Sequence, residues 1–249
     1  MKKIGIVGGV AWPTTVDYYR EICRRSERWY LAQNPQGVAS TPEMSIESLD
    51  HNKAVSYLGV DDDEESWAQF DDYHRAALKR LETSGVDFAL MASNTPHHRW
   101  AAITRGIGIP VLSIFEVVAQ EAARIGAGEV LILGTAVTMQ SAGFRGEFAK
   151  HGIEATGPSD EAARGMTVEL IAELQLGKVD RAAERVGKIA RGTFRRGFKA
   201  QPLVCLACTE LALAFQEQKM LATFECDGIS YLNSTAVHIA AAFDLAVAK

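Results

Sequence analysis

No stretch of the chain approaches the ~20 consecutive apolar residues that a membrane-spanning helix requires. Basic residues are not in excess either. The formal net charge is −5, which argues against a general nucleic-acid binder, and local clusters such as Arg195-Arg196 with Lys199 read as a solvated helix face. Cysteines number only four in 249 residues. Cys23, Cys205, Cys208 and Cys226 are irregularly spaced, so no disulfide framework is expected, and a cytoplasmic setting with free thiols is. The opening Met1-Lys2-Lys3 leads into Ile4–Val7, an apolar run shorter than the ~7–15 residues of a signal-peptide core, and then into Gly8-Gly9, so no signal peptide is expected. Those glycines fit neither G-x-G-x-x-G nor G-x-x-x-x-G-K-[ST], and a phosphate cradle is not expected. The acidic segment 61–65 lacks the glycine and distal glutamate of a calcium loop. Asp61-Asp62-Asp63 therefore reads as chemistry of a helix start, and no metal site is expected.

What is present is the ordinary balance of a globular protein, 47% hydrophobic and 23% charged. Short apolar runs alternate with helical patterns, which predicts an α/β fold of βαβ units with a mainly parallel sheet. Strands are expected at 4–7, 44–49, 87–92, 111–114, 129–133, 153–155, 202–207 and 231–232. Helices are expected at 14–29, 67–84, from 136 to about 151, at 160–176, at 180–198, after Cys208, and from 235 to 248. One plan occurs twice: an apolar strand, a small polar tripeptide, then a helix. It appears at Ser93-Asn94-Thr95 and at Cys208-Thr209-Glu210. Ligands of open parallel sheets sit at the carboxyl ends of strands, so both tripeptides are candidate site residues.

Cys208 carries the clearest chemistry. At a strand end before a helix, backbone N–H groups stabilise anions, and a thiol shifted from ~8.5 towards neutrality can exchange a proton with a substrate carbon. The competing reading is a buried cysteine that does no chemistry. Cys205 completes a C-x-x-C, but positions three apart in a strand face opposite sides of the sheet, so Cys205 is assigned to the core. Gly8-Gly9 permits a tight turn and close backbone approach to a small ligand, making the neighbouring Val10 and Thr15 candidate contacts. Tyr18 and Tyr19 are read as packing residues. His97, following the Ser93 motif, could orient a substrate or partner a base; His98 is the weaker candidate. Glu210 could tune Cys208 or cap the helix.

Five landmarks, in order along the chain, carry a resemblance. They are Ile4-Gly-Ile-Val-Gly-Gly9 with Thr15-Val-Asp-Tyr-Tyr-Arg-Glu-Ile22; Ser93-Asn-Thr-Pro-His97; Gly134-Thr-Ala-Val-Thr-Met139; Cys208-Thr-Glu-Leu211; and Asn233-Ser-Thr-Ala-Val-His238. Together they resemble the aspartate/glutamate racemase family. The resemblance implies two similar α/β lobes, each with a mainly parallel sheet flanked by helices, with the active site between them. The first lobe is then expected over 1–115 with 227–249, and the second over 116–226. It implies a racemase that uses no pyridoxal phosphate or other cofactor, acting on a small amino acid, and a homodimer. One thiolate of such an enzyme removes the α-hydrogen while a second thiol reprotonates the opposite face. Charge building on the substrate carboxylate calls for preorganised donors; Asn94, Thr95, Thr135, Thr138, Thr209 and Glu210, with His97, are the candidates for binding.

Two departures from the family pattern stand out. Ser93 occupies the place of the first thiol, and a hydroxyl is almost un-ionised at neutral pH. Some relatives resemble this pattern and favour one enantiomer. Asn233 replaces the usual acidic residue, and 43–51 shows no clear basic residue to clasp a side-chain carboxylate, where several relatives use an arginine. Two alternatives stay open: a single-thiol decarboxylase or lyase of the same superfamily, and a non-catalytic binder of small acids.

Overall fold

The computed structural model describes residues 1–60, 63–198 and 201–248, and the side chains of all of these except 195–197. Asp61, Asp62 and Lys199 thus lie outside what is described, as do the side chains of residues 195 and 196. The chain divides into two compact units, 1–113 with 239–249, and 114–238.

The first unit is built on a four-stranded, wholly parallel sheet in the order β2-β1-β3-β4. In chain order come β1 (Ile4–Gly8), α1 (Trp12–Gln33), β2 (Met44–Ser48), α2 (His51–Ser56), a 3-10 turn (Glu64–Trp67), α3 (Ala68–Thr83), β3 (Phe88–Met91), a second 3-10 turn (Thr95–Arg99), α4 (Trp100–Ile103) and β4 (Val111–Leu112). Both central strands, β1 and β3, are buried along their whole length. That is why they read as continuous apolar runs, the pattern of a strand covered on both faces. Ile4 pairs with Phe88 and Val7 with Met91, so Gly8 and Ala92 leave the sheet side by side at its carboxyl edge. Asp63 accepts from Ser66 N at 3.2 Å, the capping role expected for the acidic run.

The second unit has a five-stranded sheet in the order β6-β5-β7-β9-β8, parallel except for β8. Its elements are α5 (Ile114–Arg124), β5 (Glu129–Gly134), α6 (Ala136–Gln140), α7 (Ala142–Ala149), β6 (Glu154–Thr156), α8 (Glu161–Gln175), α9 (Ala182–Gly197), β7 (Leu203–Ala207), a 3-10 turn (Thr209–Ala214), β8 (Thr223–Cys226), β9 (Ile229–Asn233) and the start of α10 (Ser234–Val247). Leu131, Leu133, Leu170, Leu174, Val186, Val204 and Leu206 form its core.

The expected boundaries differ at both ends of the second unit, and Ile114 and Phe115, assigned from sequence to the first lobe, open it as the start of α5. Residues 227–238, assigned from sequence to the first lobe, belong to the second unit, because β9 pairs with β7 from Val204↔Tyr231 to Leu206↔Asn233. The changeover falls inside α10. Three of the expected elements also take a different form. The helix expected from 136 to 151 is two helices broken at Ser141, whose extended backbone lets its hydroxyl accept from Phe144 N at 3.2 Å. The strand expected at 111–114 stops at Leu112, and Ile114 begins a helix. The helix expected after Cys208 is a six-residue 3-10 turn.

Candidate functional site

In the first unit the candidates gather at the carboxyl edge of the sheet. Gly9 turns the chain at the end of β1 with φ +87°, and a Cβ there would lie 2.2 Å from Leu49 O. Only glycine fits a positive φ pressed so close to a neighbouring backbone. Thr15, from the first turn of α1, accepts from Gly9 N at 2.9 Å, so its hydroxyl fastens the turn. Val10 is half-buried, and its carbonyl accepts from His51 Nδ1 at 2.5 Å. His51 was not singled out in the sequence.

Ser93 follows β3 and is half-buried, as is Thr95, while Asn94 and His97 are buried. His97 N donates to Asn94 O at 3.0 Å, and His97 Nδ1 to Ser93 O at 2.9 Å. The ring stacks on Trp100 with centroids 5.2 Å apart. Burial pushes its pKa down to about 4, against the opposing pull of the Ser93, Leu112 and Asn94 backbone, and nearby His74 adds to the depression. At neutral pH His97 is uncharged, and the Ser93 carbonyl, which can only accept, is matched by a ring protonated on Nδ1. His98 lies against Trp67, ring centroids 5.6 Å apart.

In the second unit the candidates gather at the carboxyl edge of β5 and β7. Thr135 caps α6, accepting from Thr138 N at 3.3 Å, and the two hydroxyls lie 3.0 Å apart. Thr138 is fully buried. Gly134 pairs with Ala207, and a Cβ on it would come within 2.8 Å of Ala207 O. The next residue is Cys208.

Cys208 is 6% exposed, and its thiol donates to Glu210 Oε2 at 2.9 Å. The same oxygen accepts from the Thr209 hydroxyl at 2.8 Å, and Oε1 accepts from Gln175 Nε2 at 3.1 Å. The sequence reading expected a thiol lowered towards neutrality. The structure gives the opposite: burial first, then the Glu210 charge and its hydrogen bond to the thiol, hold Cys208 well above the ordinary thiol value, and backbone N–H groups of Glu210 and Thr209 offset this only in part. The short 3-10 turn supplies too few aligned peptides to reverse the balance. The resting sulfur is a neutral thiol with a carboxylate acceptor in place. Gln175, 35 positions upstream of Glu210, carried no sequence signal.

Cys205 is fully buried, as its strand position predicts, and burial raises its pKa. Asn233 serves the fold: Nδ2 donates to Lys219 O at 2.7 Å, while Oδ1 caps α10 by accepting from Thr235 N at 3.0 Å and Ala236 N at 3.3 Å. Among the described residues, no group of three or more His, Cys, Asp or Glu is placed to hold a metal, and no helix is long and apolar enough to cross a membrane.

Comparison with known proteins identifies the fold and the family. An aspartate racemase homologue from Pyrococcus horikoshii is 26% identical over 100% of both chains, with a TM-score of 0.74. A Yersinia pestis protein is 25% identical over 100% of both, with a TM-score of 0.79. The glutamate racemase of Aquifex pyrophilus, 17% identical over 98% of this chain and 83% of its own, shares the fold at a TM-score of 0.60. The model of the Asp/Glu/hydantoin racemase family matches residues 7–242. The chain belongs to the Asp/Glu/hydantoin racemase family, a family of isomerases.

Proposed function

We propose that the chain racemises a small, acidic-type amino acid without a cofactor, with Cys208 as thiol acid/base and Ser93 in the role of the second thiol. The observation that carries this is the Cys208–Glu210 contact at the carboxyl end of β7. Glu210 takes the thiol proton, and the thiolate removes the α-hydrogen of the substrate. The electron pair left on the α-carbon delocalises into the substrate carboxylate, where donors such as the Asn94, Thr95 and Thr135 groups stabilise it. The Ser93 hydroxyl delivers a proton to the opposite face and recovers one from solvent, and Glu210 releases to solvent the proton it took from the thiol, which returns every group to its starting state.

A hydroxyl is a far weaker acid and base than a thiol in this role, and the asymmetry has a signature. The equilibrium constant between enantiomers is one, so kcat/KM for inversion is equal in both directions. Exchange need not be. The enantiomer whose α-hydrogen faces Cys208 exchanges with deuterated water faster than it inverts. The other enantiomer loses its α-hydrogen only slowly. Incubating each enantiomer of aspartate, glutamate and other small amino acids in deuterated water tests this. No α-deuterium in any of them would overturn the proposal.

One observation favours a second reading. A neutral buried thiol is better prepared to give a proton than to take one, which suits a single-thiol decarboxylase that protonates a carbanion. Carbon dioxide release from a malonate-type acid, without racemisation, would select that reading. The homodimer is supported by Trp12, Val16 and Tyr19, exposed on one face of α1; sedimentation equilibrium checks it. All four cysteines are unpaired, which fits a reducing, cytoplasmic setting.

A further inference from the structure

The Ser93-Asn94-Thr95-Pro96-His97 motif suggests that every polar member meets substrate. His97 is not built that way. It is 2% exposed, is covered on one ring face by Trp100, and reaches back four residues to the Ser93 carbonyl. We propose that His97 is a positioning residue: its Nδ1–H holds the Ser93 carbonyl and thereby sets the peptide plane between Ser93 and Asn94. This rests on the reading that Ser93 takes part in proton transfer.

The argument is geometric. In a trans peptide the C=O and the following N–H point in opposite directions. Anchoring the Ser93 carbonyl on the buried ring aims the Asn94 N–H the other way, and the same anchor fixes the backbone from which the Ser93 hydroxyl projects. His97 N closes the turn a second time on Asn94 O. Two bonds from one residue therefore tie the two peptides that flank Asn94.

The bond demands a particular ring. An Nε2–H tautomer would set a bare Nδ1 lone pair against a carbonyl oxygen, which is repulsive. Neutrality is enforced by burial, and His74 beside it is likewise fully buried, with Nδ1 against Phe70 O at 2.8 Å. The ring is thus held neutral, and the strut requires it to carry its proton on Nδ1.

The test compares two substitutions. His97→Asn keeps an N–H donor near the Nδ1 position, and His97→Leu removes it. For the α-hydrogen exchange reaction, His97→Leu should lower kcat by about 100-fold, the cost of misplacing a reacting group by roughly 1 Å. KM should stay within about threefold, and His97→Asn should recover most of the loss. A rise in KM with unchanged kcat would make His97 a substrate contact and overturn the proposal, as would equal loss in both variants. Nitrogen-15 NMR of the wild-type histidine rings is an independent arm that needs neither a variant nor a substrate. An Nδ1-protonated His97, neutral throughout the physiological range, supports the strut; an Nε2–H ring overturns it. Should no amino acid exchange its α-hydrogen, the racemase reading fails alone, and the ring's tautomer still decides the strut.

Discussion

Cys208 gives its thiol hydrogen to Glu210 Oε2 across 2.9 Å, so the carboxylate that raises the thiol's pKa is also the group positioned to relieve it of its proton. Glu210→Gln separates these two effects. Removing the charge favours the thiolate, and thiolate absorbance, read as a difference from Cys208→Ala, should begin at lower pH than in the wild type. Loss of the acceptor should lower turnover by about 100-fold. A thiol that ionises no earlier in the variant would show that burial alone sets its pKa.

Ser93→Cys restores two thiols. Inversion should rise by about 100-fold, and exchange without inversion should disappear, because both faces then carry a competent acid/base. Polarimetry together with mass spectrometry of the recovered substrate measures both. An unchanged inversion rate would exclude Ser93 from the reaction.

His74 and His97 are each held near pKa about 4 by burial, against about 6.5 in an unfolded chain. Between those values the unfolded state binds more protons. The contribution to stability is therefore complete above pH 6.5 and is lost as pH falls towards 4. Urea titrations between pH 6.5 and 5 should show protons taken up on unfolding, and His74→Phe should reduce that uptake by about one proton. An identical pH slope in the variant would contradict the burial of a neutral ring.

Asn233→Asp restores the acidic residue usual in the family but sets a carboxylate oxygen against Lys219 O, where an N–H now donates. The broken contact should cost about 1–3 kcal/mol. A better charge at the start of α10 returns only about 0.3–1 kcal/mol. The urea midpoint should fall; a rise would mean that the cap outweighs the lost donor.

Much of the scaffold was legible because β1, β3, β5 and β7 are buried strands whose apolar runs end in glycine or a small polar residue. The recurrence of strand and polar tripeptide led to Ser93 and Cys208 for the same reason. What escaped was carried by weaker local signals. The edge strand β8 alternates exposed and half-buried residues, yet Asp227-Gly228, both at positive φ, is a strong short-range hairpin signal and would have revealed it. The Cys208 environment was misjudged because local sequence shows the favourable backbone N–H groups but not the depth of burial. Gln175 was out of reach, since only the folded packing of α8 brings its amide to Glu210.

Gly134 offers a handle on the sulfur from a distance. Where β5 ends, the missing methyl lets the Ala207 carbonyl settle closer than any side chain would permit, and Cys208 is the next link. A single alanine at 134 would press on that carbonyl and shift the thiol by a fraction of an ångström while every acid, base and donor kept its identity. Reactivity at this sulfur is thus tunable by steric pressure on the neighbouring strand, independently of the chemistry written in the motif.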